Sequence, residues 1–433
     1  MFETYGELAE TPAHELALEC LQAGIEAANP RRAVERHCSI EGDRLRIRDA
    51  EYDLSAYDSI EILGGGKAAD DLAAAFESLL GERVTGGVVV TNERTATPDR
   101  VTVLKGEHPT PGEGSVSGST AVLDRAAAAD ERTLIIASIA GGGSALMCAP
   151  AEGLSVDDMR AITDGLLGAG ASIDEINVVR RACSEIKGGG LAAAAAPATV
   201  VGVLVSDVVG DDMTVIASGP TVPTATDPEA AIEVLTRYEV DVPTVHEWLR
   251  SAEPTEPTDT DVDNHIIASG RDAIDAARDV ATEAGYETCV LSTRIEGEST
   301  QAGRFHAAVA TESTLSGDPV DPPAILLSGG ETTVRVTGDG VGGPNQEFAL
   351  AAAGNLPEPV VVGAVDTDGG DGSTDAAGAL VDGATIEDPD IARQALADND
   401  SYTYLDSKSA LLRTGATGTN VNDLRVLVIP DDE

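Results

Sequence analysis

Residues 59–81 read SIEILGGGKAADDLAAAFESLLG. An apolar run ends in three glycines and a lysine, and an alanine- and leucine-rich stretch of helical character follows. The same device recurs in GGVVVTNE (86–93), RTLIIASIAGGGS (132–144) and TVVGVLVSDVVGDD (199–212), with GSTAVLDRAAAAD (118–130) as a further helical stretch. Short continuous apolar strands alternating with helices imply βαβ units and a mostly parallel sheet covered by helices on both faces. The fold class is α/β. Functional loops of such sheets lie beyond the carboxyl ends of the strands, and the glycine clusters fall there.

The 433 residues suit two domains of roughly 200 residues each. A formal net charge of −47 excludes a general binder of nucleic acid or anionic membrane, whose phosphates it would repel. A hydrophobic content of 42% excludes a disordered acidic tail. Spread along the whole chain, the charge resembles a halophile's solvated surface, tolerable where salt screens self-repulsion. Of the 28 basic residues only four are lysine, at 67, 105, 187 and 408. In so lysine-poor a chain, each one retained is more apt to have a task. Five well-separated cysteines without C-x-x-C spacing suit reduced thiols in a cytoplasm. The acidic start MFETYGELAE is unlike a signal peptide, and no run of 18 apolar residues exists, so a soluble intracellular protein is expected.

SAEPTEPTDTDVDN (251–264) reads as a linker between a first domain over 1–250 and a smaller one over 265–433. The C-terminal tail is left free to return to the first domain. In AILLSGGETTVRVTGDG (324–340), an apolar strand precedes TTVRVT, whose alternation suits a half-buried antiparallel strand. The second sheet should therefore be mixed.

Lys67 follows Gly64, Gly65 and Gly66, but the loop is no Walker A motif, since Ala68 stands where Ser or Thr is needed. Glycine amides and a helix start can still meet an anion, with the lysine as a point charge. The plainer alternative is a stem covering the helix end. GDGVGG (338–343) satisfies G-x-G-x-x-G but follows an alternating strand carrying Arg335, which argues against a dinucleotide site. After it, Pro344 opens a helix whose mouth presents Asn345, Gln346 and Glu347, for binding or for simple capping. In IAGGGSALM (139–147), Gly141, Gly142, Gly143 and Ser144 lack the spacing of a hydrolase elbow and suit an oxyanion or phosphate cradle.

In EINVVRRACSEIKGGGLA (175–192), Asn177, Arg180, Ser184 and Lys187 recur at three- and four-residue steps, as one polar face of a helix would. A basic face on so acidic a chain points to an anionic ligand. Asp207 and Asp211 follow an apolar strand directly, placed for Mg²⁺ or general-base work. Asp368 repeats this in AVDTDGGDGSTDAAGA (364–379). Thr414, Thr417 and Asn420 lie among glycines near the end, and His108 precedes a proline turn.

Taken in order, GGGKAA, EHPTP, GGGSAL, EINVVRRACSEIKGGGLA, SDVVGDD with IASGPT, GGETTV, GGPNQE, TDGGDGSTDAAGA and TGATGTNVNDL resemble the glycerate 2-kinase family, whose C-terminal half is the MOFRL region. The resemblance runs over roughly residues 5–430 and suggests a halophilic, archaeal-like member. It implies ATP- and Mg²⁺-dependent phosphorylation of D-glycerate to 2-phosphoglycerate. It also implies a Rossmann-like first domain, a MOFRL-type second domain and an active site between them. Lys67 matches the family's catalytic or phosphate-binding lysine, with Asp207 and Arg180 as catalytic partners and Asp207 and Asp211 as metal ligands. Substrate and nucleotide contacts would come from Gly64 to Gly66, His108, Gly141 to Ser144, Asn177, Lys187, Asn345, Glu347, Asp368, Thr414, Thr417 and Asn420. Pro344 departs from the family's usual arginine, so charge neutralisation there would pass to Arg180 or Arg335. Gly112 and Ala416 also depart, conservatively. Partners would be small molecules, without nucleic acid or membrane, in a possible homo-oligomer. Hydroxypyruvate reductase and a non-catalytic glycerate or nucleotide sensor are the alternatives.

Overall fold

The apolar run Ser59–Gly65 forms a strand buried along most of its length, and the sheet is built outward from it. The computed structural model describes residues 1–258, 260 and 262–431. The strands in chain order are β1 (Cys38–Glu41), β2 (Arg44–Ile47), β3 (Ala50–Asp53), β4 (Ser59–Gly65), β5 (Gly86–Thr91), β6 (Thr102–Lys105), β7 (Thr133–Ile139), β8 (Thr199–Val205), β9 (Val262–Ala268), β10 (Glu287–Glu298), β11 (Ala324–Thr333), β12 (Val361–Asp366), β13 (Gly378–Asp382), β14 (Leu411–Leu412) and β15 (Asp423–Ile429). Two compact units result, one over 30–267 and one over 1–29 with 268–433.

In the unit over 30–267, six strands lie in the order β6-β5-β4-β7-β8-β9, beside a small antiparallel meander β1-β2-β3. The pairings from β6 through β8 are all parallel, with Leu63 level with Val88 and Ala137. The helices Ala69–Leu80 and Glu113–Ala127 realise the expected helical stretches. Leu63, Val90, Ile135, Ile139 and Leu204 share one core with Leu146 and Leu191. Each such side chain contributes about 1.5–3 kcal/mol on full burial. A second cluster includes Met159, Ile162, Ile176, Val179 and Leu235 and fixes the helix Ile173–Ala182.

The other unit holds a six-stranded mixed sheet in the order β10-β11-β15-β12-β13-β14. Only β10 and β11 pair in parallel; β15 runs antiparallel to both β11 and β12. Three expectations are corrected here. The C-terminal tail does not return to the first domain, because β15 is fully buried in the middle of this sheet. The chain start belongs here too: the helix Pro12–Ala28 buries Leu18, Leu21 and Ile25, and Gly24 lies where a Cβ would stand 2.3 Å from Leu424 Cδ2. Nor does TTVRVT make a separate antiparallel strand. β11 simply continues to Thr333 alongside β10, and regular pairing stops there.

The stretch read as a linker is partly structured. Thr255 bridges Thr226, and β9 begins at Val262, with the Asn264 amide donating to the Thr221 carbonyl. Asp259 and Asp261 of that stretch, and residues 432 and 433 of the second expected domain, lie outside the described residues. No helix among the described residues is long and apolar enough to cross a membrane.

Candidate active site

The carboxyl ends of β4, β7 and β8 bring several of the expected residues together. Gly66 has φ 142°, and a Cβ there would lie 2.4 Å from the Ala140 carbonyl oxygen, so only glycine lets the two loops touch. The Lys67 amide then donates to the Gly141 carbonyl at 2.8 Å, and the Thr91 hydroxyl donates to the Lys67 carbonyl at 3.2 Å. A Cβ on Gly142 would stand 3.0 Å from His108 Cδ2 and 3.1 Å from Lys67 Cγ. One on Gly141 would stand 2.1 Å from Asp207 Oδ2. The Lys67 stem, the His108 ring and the Asp207 carboxylate thus converge on Gly141–Gly142. Gly64, Gly65 and Gly143 belong to the same crossing: a Cβ on Gly64 would meet the Ser138 carbonyl oxygen at 2.0 Å, and one on Gly143 the Gly65 oxygen at 3.2 Å.

Behind the glycines lies a polar network. Ser144 Oγ and Ser218 Oγ are 2.7 Å apart, and Ser218 Oγ donates to Asn177 Oδ1 at 2.8 Å. Lys187 Nζ donates to the carbonyls of Ser144 and Met147 at 2.7 and 3.0 Å. Burial pushes the Lys187 ammonium down to about 7, and the Arg180 charge acts in the same direction. Arg180 is half-buried, which lowers its own pKa, and its guanidinium has neither ion pair nor hydrogen bond among the described residues. Such a group suits an anion. Asp211 occupies the turn after Asp207 with φ 60°.

The expected single helical face is corrected. The helix ends at Ala182, so Ser184 and Lys187 lie beyond it. Ser184 pairs with Pro150 in an isolated bridge and donates to the Ala149 carbonyl at 3.1 Å. Lys187 comes back to the site through tertiary packing. Its ammonium serves backbone carbonyls, at the end of the short helix Gly143–Leu146.

In the mixed-sheet unit, Asn345 Nδ2 donates to Asp423 Oδ1 at 2.7 Å, and the Asn345 and Gln346 amides donate to the Asp371 carboxylate at 2.9 and 2.8 Å. Pro344 does open this helix, which spans Pro344–Ala353. Glu347 is buried and accepts from Asn399 Nδ2 at 2.8 Å. Burial pushes the Asp371 carboxyl up to about 7, and burial with the neighbouring Asp368 charge raises Asp366 well above the usual range. Thr417 donates its amide to the Asp368 carbonyl at 3.2 Å, and a Cβ on Gly369 would stand 2.9 Å from Thr414 Oγ1, so Asp368, Thr414 and Thr417 form one loop pair. Asn420 Oδ1 accepts from the Asn422 amide at 3.1 Å. GDGVGG precedes that helix as irregular backbone, with a Gly338 Cβ 2.2 Å from the Asp398 oxygen.

Sequence reasoning missed Ser218 and Arg425. Arg425 is fully buried, pairs with Asp423 and lies 4.8 Å over the Phe348 ring. A charged residue inside the apolar run DLRVLVI was the available signal. Ser218 lay within IASGPT, one of the blocks that carry the resemblance, but was not singled out there.

Residues 16–250 match a family described as a domain of unknown function (DUF4147), and residues 324–423 match the MOFRL family. A D-glycerate 2-kinase from Thermotoga maritima is 38% identical, over 96% of this chain and 98% of that protein. The chain belongs to the glycerate 2-kinase family. A protein from Agrobacterium vitis, named provisionally as a hydroxypyruvate reductase, is 39% identical over 85% of this chain and 98% of its own. The solved glycerate kinase from Thermotoga maritima superposes with a TM-score of 0.85 at 37% identity, covering 96% of this chain and 99% of that one. The MOFRL match lies wholly within the mixed-sheet unit, whereas the other match begins in the N-terminal helix of that unit and continues through the parallel-sheet unit.

Proposed function

We propose that the protein transfers the terminal phosphoryl group of ATP to the 2-hydroxyl of D-glycerate, giving 2-phosphoglycerate. The observation that carries this reading is the convergence of Lys67, His108 and Asp207 on Gly141–Gly142, in a chain related along almost its whole length to a D-glycerate 2-kinase. Phosphoryl transfer needs positioning and charge neutralisation more than covalent chemistry. Lys67 supplies a compact positive charge beside the glycine loops. Arg180, whose guanidinium has neither ion pair nor hydrogen bond among the described residues, is a second cation for an anionic substrate. Asp207 is placed to receive the hydroxyl proton or to hold a metal.

Mg²⁺ keeps much of its shell as water and phosphate and takes one or two protein carboxylates. Asp207, with Asp211 in the next turn, fits that demand, while no three-ligand cage exists among the described residues. Bound there, Mg²⁺ would neutralise charge on the nucleotide phosphates. The acidic, lysine-poor composition supports a cytoplasmic enzyme adapted to high salt.

The test supplies the full chain with D-glycerate and ATP·Mg²⁺ in molar KCl and identifies the product by NMR. 2-Phosphoglycerate is expected, and 3-phosphoglycerate would correct the position of transfer. The relative's provisional name motivates a parallel assay with NADH and hydroxypyruvate. Robust NADH oxidation without phosphorylated product would overturn the kinase reading, and ligand binding without turnover would favour a sensor.

A further inference from the structure

Ser218 has no part in the reading above, yet it is tightly constrained. It is fully buried with φ 63°, directly after Ala217 at φ 51°. Side chains on L-residues rarely adopt this region, and such residues cluster at functional sites. The turn after Lys187 holds the segment in place: the Gly188 and Gly189 amides donate to the Ser218 and Gly219 carbonyls at 3.1 and 2.7 Å.

A serine hydroxyl carries one proton. With the Asn177 amide turned so that Oδ1 faces Ser218, Ser218 gives its proton to that oxygen at 2.8 Å, and the 2.7 Å contact between the two serines is then donated by Ser144. The Ser144 proton is therefore directed inward, and its oxygen keeps only lone pairs for anything else. Ser144 is half-buried, whereas Ser218 is fully buried, so of the two only Ser144 has any surface to offer a ligand. Lone pairs repel a phosphoryl or carboxylate oxygen, which has no proton to donate. They accept from an alcohol. This revises the expectation that Ser144 helps cradle an anion; that task falls to glycine amides and cations.

We infer that Ser218 is a positioning residue that turns the Ser144 hydroxyl into an acceptor, and that Ser144 receives a hydrogen bond from a hydroxyl of the hydroxy-acid substrate. The inference rests on the kinase reading and assigns donor and acceptor within it. Asn177 is the anchor of the relay: its oxygen faces Ser218, its Nδ2 is buried without a partner among the described residues, and this amide orientation sets the direction of both serine protons.

A double-mutant cycle with Ser144→Ala and Ser218→Ala tests it. Each single variant should raise KM for D-glycerate by roughly 2–10-fold, the range for one neutral hydrogen bond. KM for ATP should stay within error. Because Ser218 acts through Ser144, the double variant should match Ser144→Ala. Ser218→Gly removes the hydroxyl without the left-handed cost; it should share the KM change of Ser218→Ala and melt no lower. Multiplicative losses in the double variant, or an unchanged KM for D-glycerate in either single variant, would overturn the inference and leave the kinase reading intact. A wild-type chain that does not phosphorylate D-glycerate would overturn both.

Discussion

The Asp207 carboxylate lies so close to the α-carbon of Gly141 that an added methyl group would stand 2.1 Å from Oδ2 and 2.4 Å from Cγ. The two residues belong to the ends of different strands. Their contact places a carboxylate against the loop that also touches Lys67 and His108.

Gly141→Ala should therefore displace Asp207 and little else, because Gly141 is not among the residues with positive φ. A misplacement near 1 Å can cost about 100-fold in rate. We expect kcat to fall by about that factor with melting temperature nearly unchanged, and Asp207→Asn to fall at least as far. Normal turnover in both variants would remove Asp207 from the site and make Asp368 the next candidate.

Lys67→Met retains the apolar stem and removes the ammonium. If the charge steadies the transferring phosphoryl group, the loss should appear mainly in kcat, by about 10²–10³-fold. Lys67→Arg should recover only part of it, since a planar fork does not replace a point charge. A folded Lys67→Met enzyme with wild-type kcat would make the residue a cover for the helix end.

Lys187 should make stability depend on pH. Its folded value is pushed down to about 7 from an ordinary 10.5, so between these limits the unfolded chain binds more protons than the folded one. Stability then rises with pH above 7, and the cost of the buried charge is fully present below it. Denaturant midpoints measured from pH 6 to about 7.5, a full unit below the pH of about 8.5 at which exposed thiols are half ionised, should climb for the wild type. Lys187→Met should lose that climb. It should also lose about 1–3 kcal/mol for each buried carbonyl left without a donor. Equal slopes in the two proteins would contradict this account.

With a formal charge of −47, the fold should need salt. The screening length is about 3 Å at 1 M and about 10 Å at 0.1 M. Melting temperature and activity should both drop as KCl is diluted, and an uncharged osmolyte at equal osmolarity should restore activity less well than KCl. An unchanged melting temperature in 0.1 M salt would count against self-repulsion as the governing term.

The sequence by itself determined the local elements: continuous apolar runs became β4, β5, β7 and β8, and glycines marked their functional ends. It also carried the ordered motifs by which the family is legible, because those motifs are local chemistry. The partition of the chain was not local. Helix Pro12–Ala28 and strand β15 lie at opposite ends of the sequence, yet they pack in one unit, a choice made by complementary apolar surfaces such as Gly24 against Leu424. Likewise, the regular spacing of Asn177, Arg180, Ser184 and Lys187 suggested one helix face, but the helix stops at Ala182. Folding returned Lys187 to the Ser144 carbonyl by another route. Only the tertiary structure selected Ser218, since the direction of a hydroxyl proton depends on partners 41 and 74 residues away.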